Sequence, residues 1–551
     1  MKTLNNSNPV ALKTIFPVII FYAAIASGGY FFASLVILNL FFILALLFGK
    51  AKWEVDIMAL LFGVIFLIMV ISWAIGSLSH HQGLTDLLKY SLFPLAYIYF
   101  RTYKQDNNSI FYKIFIFIMI FGLLGMVNLS PIPNMVTNLG GRLQSFLGYA
   151  NTTALLMGIG IFYATEALLN SLNDKSKRRN EKKKMYHAGI ALLFLAALIF
   201  TLSRVGFVTF VSVYLLYIFR HVNVKIKLAV SAALLGLWGI LALADSRIAN
   251  ISIFAPTLVE RYISYYDALR MMLMYPLGIG VSNWQFMQFH YQSAPYNVRY
   301  IHNFYLQMGL DGGFLALALI IAGCIFALIK GRKNLHFYIL LFILTGAFFE
   351  VHFNFGLVIV YFSYALSQIT KFPSLKLDLP YINRYKYILL LPVIPLCILL
   401  TANFYYNTGA GYERGRQRQR AYAAYADSLR LNPLNQSALH FAMARTAPSP
   451  ETAMEHLRHA HEANPWDTQI IFSLAEGFLH MEDLVSAEYY GIKLLEKFPL
   501  NRNNQELLYR ILNAGEEPRR QRVLDELQQG IAEIDAGINP LYWHIDNYFR
   551  Y

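Results

Sequence analysis

The chain is short of charge. Of its 551 residues only 14% are Asp, Glu, Lys or Arg, against roughly a quarter in soluble domains, too few to coat a water-facing surface of that size. It has two cysteines, Cys324 and Cys397, both inside apolar runs, which argues against a disulfide framework or a thiolate metal site. There is no His-Glu-x-x-His string, no Asp-x-Asp-like pair at an outer span end and no carboxylate cluster, so no metal and no cofactor is expected. The amino-terminal MKTLNNSNPVALK runs into a long apolar stretch with no Ala-x-Ala-like cleavage site. It reads as a retained first span.

What fills the chain instead is apolar: 57% hydrophobic and 15% aromatic residues. A hydrocarbon core about 30 Å thick needs roughly 20 helical residues. Runs of that order fall near 14–27, 30–49, 57–76, 85–100, 110–127, 146–168, 187–202, 205–219, 228–244, 312–329, 336–352, 356–369 and 387–403. The fold class predicted is all-α, a polytopic helical membrane protein with about thirteen spans. Lys and Arg number 46 against 32 Asp and Glu, a formal charge of +14, which in a soluble protein suggests nucleic acid. Here the basic residues gather in short loops, so no nucleic-acid partner is expected and the excess reports topology. Loops on one side, among them LNSLNDKSKRRNEKKKMY at 169–186, hold most of them. The other side holds only Arg142, Arg204, Arg247, Arg261, Arg270 and Arg299, although it includes the long loop 245–311. Positive charge stays in the cytoplasm, which places the amino terminus inside and the region after 403 outside.

Two units are therefore expected, a membrane unit over 1–403 and a polar, helix-forming unit over 404–551. Within the second, SLRLNPLN, AHEANPWD and LLEKFPLN recur, with Pro433, Pro465 and Pro499 spaced 32 and 34 residues apart. That is close to the period of tetratricopeptide repeats, in which a proline closes each helix pair, because proline cannot continue a helix. Small residues at Ala421, Ala423, Ala424 and Ala426 suit close helix approach. A coincidental bundle is the alternative, and in either case such arrays bind partners.

Polar groups at membrane depth are costly and tend to be functional. On the expected outer face, GGRLQSFLGYAN at 140–151 carries Arg142 and Asn151, with paired glycines suited to close backbone approach. LSRVG at 202–206 places Arg204 in a minimal turn. The long loop carries Glu260, Arg261 and Arg270, then YPLGIGVSNWQF at 275–286, and ends on His302 and Asn303. Pro276, Gly278 and Gly280 exclude a regular helix there, and no strand precedes the Gly-x-Gly to make a nucleotide fingerprint. Glu350 and His352 close the set. A lone arginine at an interface often only snorkels to headgroups, and a lone histidine is more often structural. Their recurrence on the side poor in positive charge favours function, with His302 suited to acid–base work and Glu350 placed either to orient a histidine or arginine or simply to face water.

The string RYIHNFYLQMGLDGG (299–313) resembles the signature of the bacterial O-antigen ligase and polymerase superfamily. GRLQSFLGYAN (141–151), SRVG (203–206) and PLGIGVSNWQF (276–286) are similar to its further motifs in the same order. The tail and the Glu350 span look most like those of protein O-oligosaccharyltransferases of the pilin-glycosylating type, although Val351-His352 departs from a Glu-x-Pro-Leu-like pattern. This resemblance implies a GT-C-like, metal-independent, inverting glycosyltransferase of the inner membrane. Its donor would be an undecaprenyl-diphosphate-linked oligosaccharide and its acceptor a pilin-like protein bound outside. On this implication His302 is the acid–base or acceptor-activating residue, Arg142, Arg204 and Arg261 hold the diphosphate with Arg270 in reserve, and Asn151 and Asn303 orient sugar or phosphate. Guanidinium groups match phosphate oxygens with paired donors. An O-antigen ligase or polymerase would share these residues. A lipid-linked-sugar flippase is the rival of another class, but would carry its polar groups near the bilayer midplane.

Overall fold

A computed structural model describes residues 10–515 apart from 50–52, 130–135, 137, 174–176, 223–226, 228–235, 237–255, 371, 374 and 377–385. The membrane unit holds α1 (Val10–Ile25), α2 (Phe32–Phe48), α3 (Ile57–Gly76), α4 (His80–Tyr103), α5 (Asn108–Met126), α6 (Ala150–Asn173), α7 (Lys177–Phe200) and α8 (Arg204–His221). The long loop contributes α9 (Pro256–Met274) and α10 (Trp284–Tyr291). Then come α11 (Phe304–Lys330), α12 (Leu335–Gly346), α13 (Gly356–Ile369) and α14 (Val393–Arg414). The chain is an all-α membrane protein. Every expected span coincides with a helix except 228–244, which apart from residue 236 lies outside the described residues.

Several boundaries move. Among the described residues, six helices are long and apolar enough to cross a membrane: Ile57–Gly76, Asn108–Met126, Ala150–Leu172, Glu181–Phe200, Phe304–Lys330 and Tyr387–Arg414. The span expected at 336–352 stops at Gly346, a helix of 12 residues that rises only about 18 Å. Turn hydrogen bonds from Phe348 N to Thr345 O and from Phe349 N to Gly346 O end it, so Glu350 falls in a turn. The span expected from 312 begins at Phe304, where Asn303 Oδ1 accepts from the amides of Tyr305 (3.0 Å) and Leu306 (3.1 Å). A side-chain cap of this kind satisfies donors that a helix start leaves open.

α11 is kinked at Gly313, whose φ of +75° suits glycine alone. A Cβ there would lie 2.6 Å from the Pro276 carbonyl oxygen. The kink lets the 276–280 loop pack in, with Ile279 N donating to Leu310 O (2.7 Å) and Phe314 N to Pro276 O (3.0 Å). Asn283 ties this loop to the end of α3, donating to Gly76 O and accepting from Leu78 N. α13 is buried almost throughout, Leu357 to Tyr361 completely, and packs on α4, α12 and α2. A two-residue antiparallel ladder, β1 (Glu54–Val55) with β2 (Leu375–Lys376), joins two loops that the charge count assigns to the same side. Cys324 and Cys397 are both free thiols.

The tail continues as α15 (Arg418–Leu431), α16 (Gln436–Thr446), α17 (Pro450–Ala463), α18 (Thr468–His480), α19 (Leu484–Lys497) and α20 (Arg502–Asn513). Pro433, Pro465 and Pro499 each stand two residues beyond the end of α15, α17 and α19. The residues before them, Asn432, Asn464 and Phe498, have φ of −132°, −147° and −143°. The ring of a following proline clashes with helical backbone and forces this extension. Ala421 and Ala424 are buried between helices, but Ala423 faces solvent.

Candidate functional site

Four segments far apart in the chain, counting its own, meet at Glu350. Its carboxylate is fully buried, and an unpaired charge there would be costly. Oε1 accepts from Arg261 (2.6 Å, from α9) and from the Asn151 amide (2.7 Å, from α6). Oε2 accepts from the Tyr149 hydroxyl at 2.7 Å and lies 3.5 Å from His302 Nδ1. Burial alone would push the Glu350 carboxyl up, but the His302 imidazole and the Arg261 guanidinium outweigh it and hold the group well below the usual carboxylate range. Glu350 is therefore ionised throughout the physiological range. Behind it, His352 bonds Thr152 Oγ1 at 3.1 Å, and burial pushes its imidazole down to about 4. A neutral imidazole adds no positive charge on that side.

Arg142 joins through Asn151: its terminal nitrogen donates to Asn151 Oδ1 (2.8 Å) and its Nε to Thr201 O (2.9 Å). This brace fixes the 140–151 segment to the end of α7. Gly140 and Gly141 have φ of +65° and +68°, with open space where a Cβ would stand. The glycines serve a left-handed turn, not the close approach expected of them. Arg204 begins α8, whose Ser203 cap accepts from Gly206 N at 3.1 Å, and it donates to Thr257 at 3.2 Å. Thr257 and Arg261 are four apart on α9 and so share a face, which brings Arg204 to the same side as the Glu350 centre. His302 is positioned through its own carbonyl, which accepts from the Tyr265 hydroxyl, and its side chain keeps 26% of its surface exposed.

Two expected residues stand elsewhere. Arg270 lies 3.9 Å from Asp267, half exposed, with its guanidinium over the Tyr266 ring. It makes no contact with the Glu350 centre, because it lies nine positions from Arg261, two and a half turns along α9. Replacing it with alanine is expected to change transfer by no more than about twofold, the size of an ordinary surface substitution, measured as initial rate in membranes. Asn303 spends its side chain on the α11 cap, which leaves it a positioning part for His302.

Sequence reasoning missed Tyr149 and Tyr265. It also missed a second polar centre. On α4, Lys89 Nζ lies 2.6 Å from Asp86, both buried, and Tyr300 bridges them, 3.1 Å from Lys89 and 3.0 Å from Asp86. Asp311 accepts from Tyr90 (2.5 Å) and Gln307 (3.0 Å). These groups surround a cavity of about 20 Å³, room for one water. The signal was present: charges three apart inside an otherwise apolar run mark a buried pair.

The centre accounts for one buried anion and leaves cationic donors over. Arg261 spends one terminal nitrogen on Glu350, so its remaining N–H groups can meet phosphate oxygens. Beside them stands an imidazole within reach of a hydroxyl proton. Fold and site together define an all-α membrane protein with a buried carboxylate that gathers arginine, asparagine, tyrosine and histidine side chains. A family model described as O-antigen ligase matches residues 189–321. The chain thus carries a domain of the O-antigen ligase superfamily, with glycosyl transfer of that type as its chemistry. The matched stretch includes Arg204, Arg261 and His302, while Arg142 and Glu350 lie outside it. No curated protein and no solved structure matches the chain.

Proposed function

We propose that the protein transfers an oligosaccharide en bloc from an undecaprenyl-diphosphate carrier to Ser or Thr hydroxyls of pilin-like proteins. The reaction takes place, in this reading, on the periplasmic side of the bacterial inner membrane. The observation that carries it is the convergence of Arg142, Asn151, Arg261 and His302 on Glu350. The acceptor oxygen attacks the anomeric carbon opposite the diphosphate while the bond from that carbon to the phosphate oxygen breaks. The electron pair leaves with the lipid diphosphate, and the hydroxyl proton passes to His302. Arg261 and Arg204 offset the charge growing on the diphosphate; preorganised groups of this kind are often the largest catalytic contribution. Glu350 holds Arg261 and faces the imidazole, so it orients both.

The proline-closed helix pairs support reading 404–551 as a tetratricopeptide-like periplasmic module that selects the acceptor, with 1–403 as the transfer unit and the amino terminus in the cytoplasm. A second reading, transfer to lipid A core, is favoured by the description of the matching family. Mass spectrometry of surface proteins from strains with and without the gene separates the two. Loss of protein glycans with intact lipopolysaccharide is the expected result, and the reverse overturns the protein acceptor. Transfer in purified membranes is expected to survive a chelator; loss rescued by a divalent cation contradicts the arginine-based scheme.

A further inference from the structure

The tail docks on the long loop, and a cleft opens at the join. Phe289 of α10 packs on Phe498 with ring centroids 4.4 Å apart, and His290 Nδ1 meets Glu496 O at 2.8 Å. Asn432 Nδ2 lies 3.1 Å from His81 Nδ1 at the start of α4. Between these contacts is a cleft of about 550 Å³, within the size range of small-ligand sites. Side-chain amides line it: Gln82 from α4, Gln285 and Asn297 from the loop, and Gln469 and Asn503 from the tail. Phenylalanine rings, Phe289 and Phe472 among them, form its apolar walls.

An amide offers donors and acceptors side by side, which matches a hydroxyl that both gives and takes a hydrogen bond. Aromatic walls suit the C–H faces of a sugar ring. The side chains of Asn297, Gln469 and Asn503 form no hydrogen bond with any described residue. Gln82 Oε1 is buried without a partner, although a buried acceptor left unmade is costly. Charge in the cleft is one Arg299 and one Asp467, which suits a neutral ligand better than a phosphate. Arg299 is three residues from His302, so the Cα atoms of the two lie at most about 11 Å apart.

We infer that this cleft, shared by the loop and the tail, binds sugar residues of the oligosaccharide beyond the one whose bond is broken. The inference rests on the reading that the protein handles an oligosaccharide, and it makes the tail part of the glycan site, apart from any selection of a protein.

Binding tests it without requiring transfer. Full-length protein in lipid nanodiscs is titrated with oligosaccharide released by mild acid from the cells' lipid-linked pool, and separately with core oligosaccharide released from lipopolysaccharide. Wild type is expected to bind the oligosaccharide from the lipid-linked pool; binding of the core oligosaccharide alone assigns the cleft to an acceptor glycan and overturns the inference. The double variants Gln469→Leu/Asn503→Leu and, as an isosteric pair, Gln469→Glu/Asn503→Asp are each expected to weaken Kd about tenfold. His302→Ala is expected to bind like wild type. No binding by wild type, or unchanged binding in a folded double variant, overturns the inference. So does weakened binding of acceptor protein with oligosaccharide binding intact. Glycan capture by a protein whose deletion leaves protein glycans unchanged overturns the protein acceptor and leaves the cleft standing.

Discussion

Glu350→Ala is expected to lower glycan transfer by about 10²–10⁴-fold. Removing one partner of a buried ion pair costs about 3–5 kcal/mol, because the other charge is left uncompensated, and each 1.36 kcal/mol is about tenfold in rate. The stranded partner is Arg261, whose side chain is only 14% exposed. Tyr149 and Asn151 lose their acceptor in the same step. Glu350→Gln keeps the shape but not the charge, and separates orientation from electrostatics. Its pH signature follows from the direction of the shift. The folded-state carboxyl is held below its unfolded value, so its stabilisation is complete above about pH 4.5 and is lost as pH falls through that region. In detergent, the wild-type melting temperature is therefore expected to fall more steeply than that of Glu350→Gln between about pH 5 and pH 3. Parallel curves, or full transfer by Glu350→Ala, contradict the ionised hub.

His302→Ala is expected to reduce transfer by about 10²–10⁴-fold, the usual range for losing a positioned acid–base group, with normal amounts of protein in the membrane. The arginines remain, so donor binding should persist while turnover falls. Added imidazole is expected to restore part of the rate, since the removed ring leaves a space at a partly exposed position. Normal glycosylation in this variant rules out the role. A loss matched by disappearance of the protein, or one that imidazole leaves untouched, points to a structural role of the ring through its contact with Glu350.

Reading order along the chain explains which residues were legible. Arg142, Arg204, Arg261 and His302 stood out because arginine and histidine on the side poor in positive charge break a one-dimensional bias. Glu350 stood out as a carboxylate at the end of an apolar run, but nothing in its neighbours named its partners. Arg261 is 89 positions away and Asn151 is 199. Arg270 carries the same chemistry as Arg261, and only the helical phase of α9 separates them, which needed the boundaries of a helix inside a long loop. Gly313 stood in the sequence only as the end of the string 299–313; its place against Pro276 became visible only when the 276–280 loop met the helix.

The amino-acid order alone determined that the chain is helical and membrane-bound, where most helices run and where the tail's helices stop. Those outcomes follow from hydropathy, loop charge and proline geometry, all local along the chain. Only the tertiary structure decided that one buried carboxylate gathers an arginine, an asparagine, a tyrosine and a histidine from three separate segments, and that the tail closes a cleft against the loop. Such meetings depend on which helix faces turn toward each other, set by packing summed over the whole bundle, and no short stretch of sequence encodes that sum.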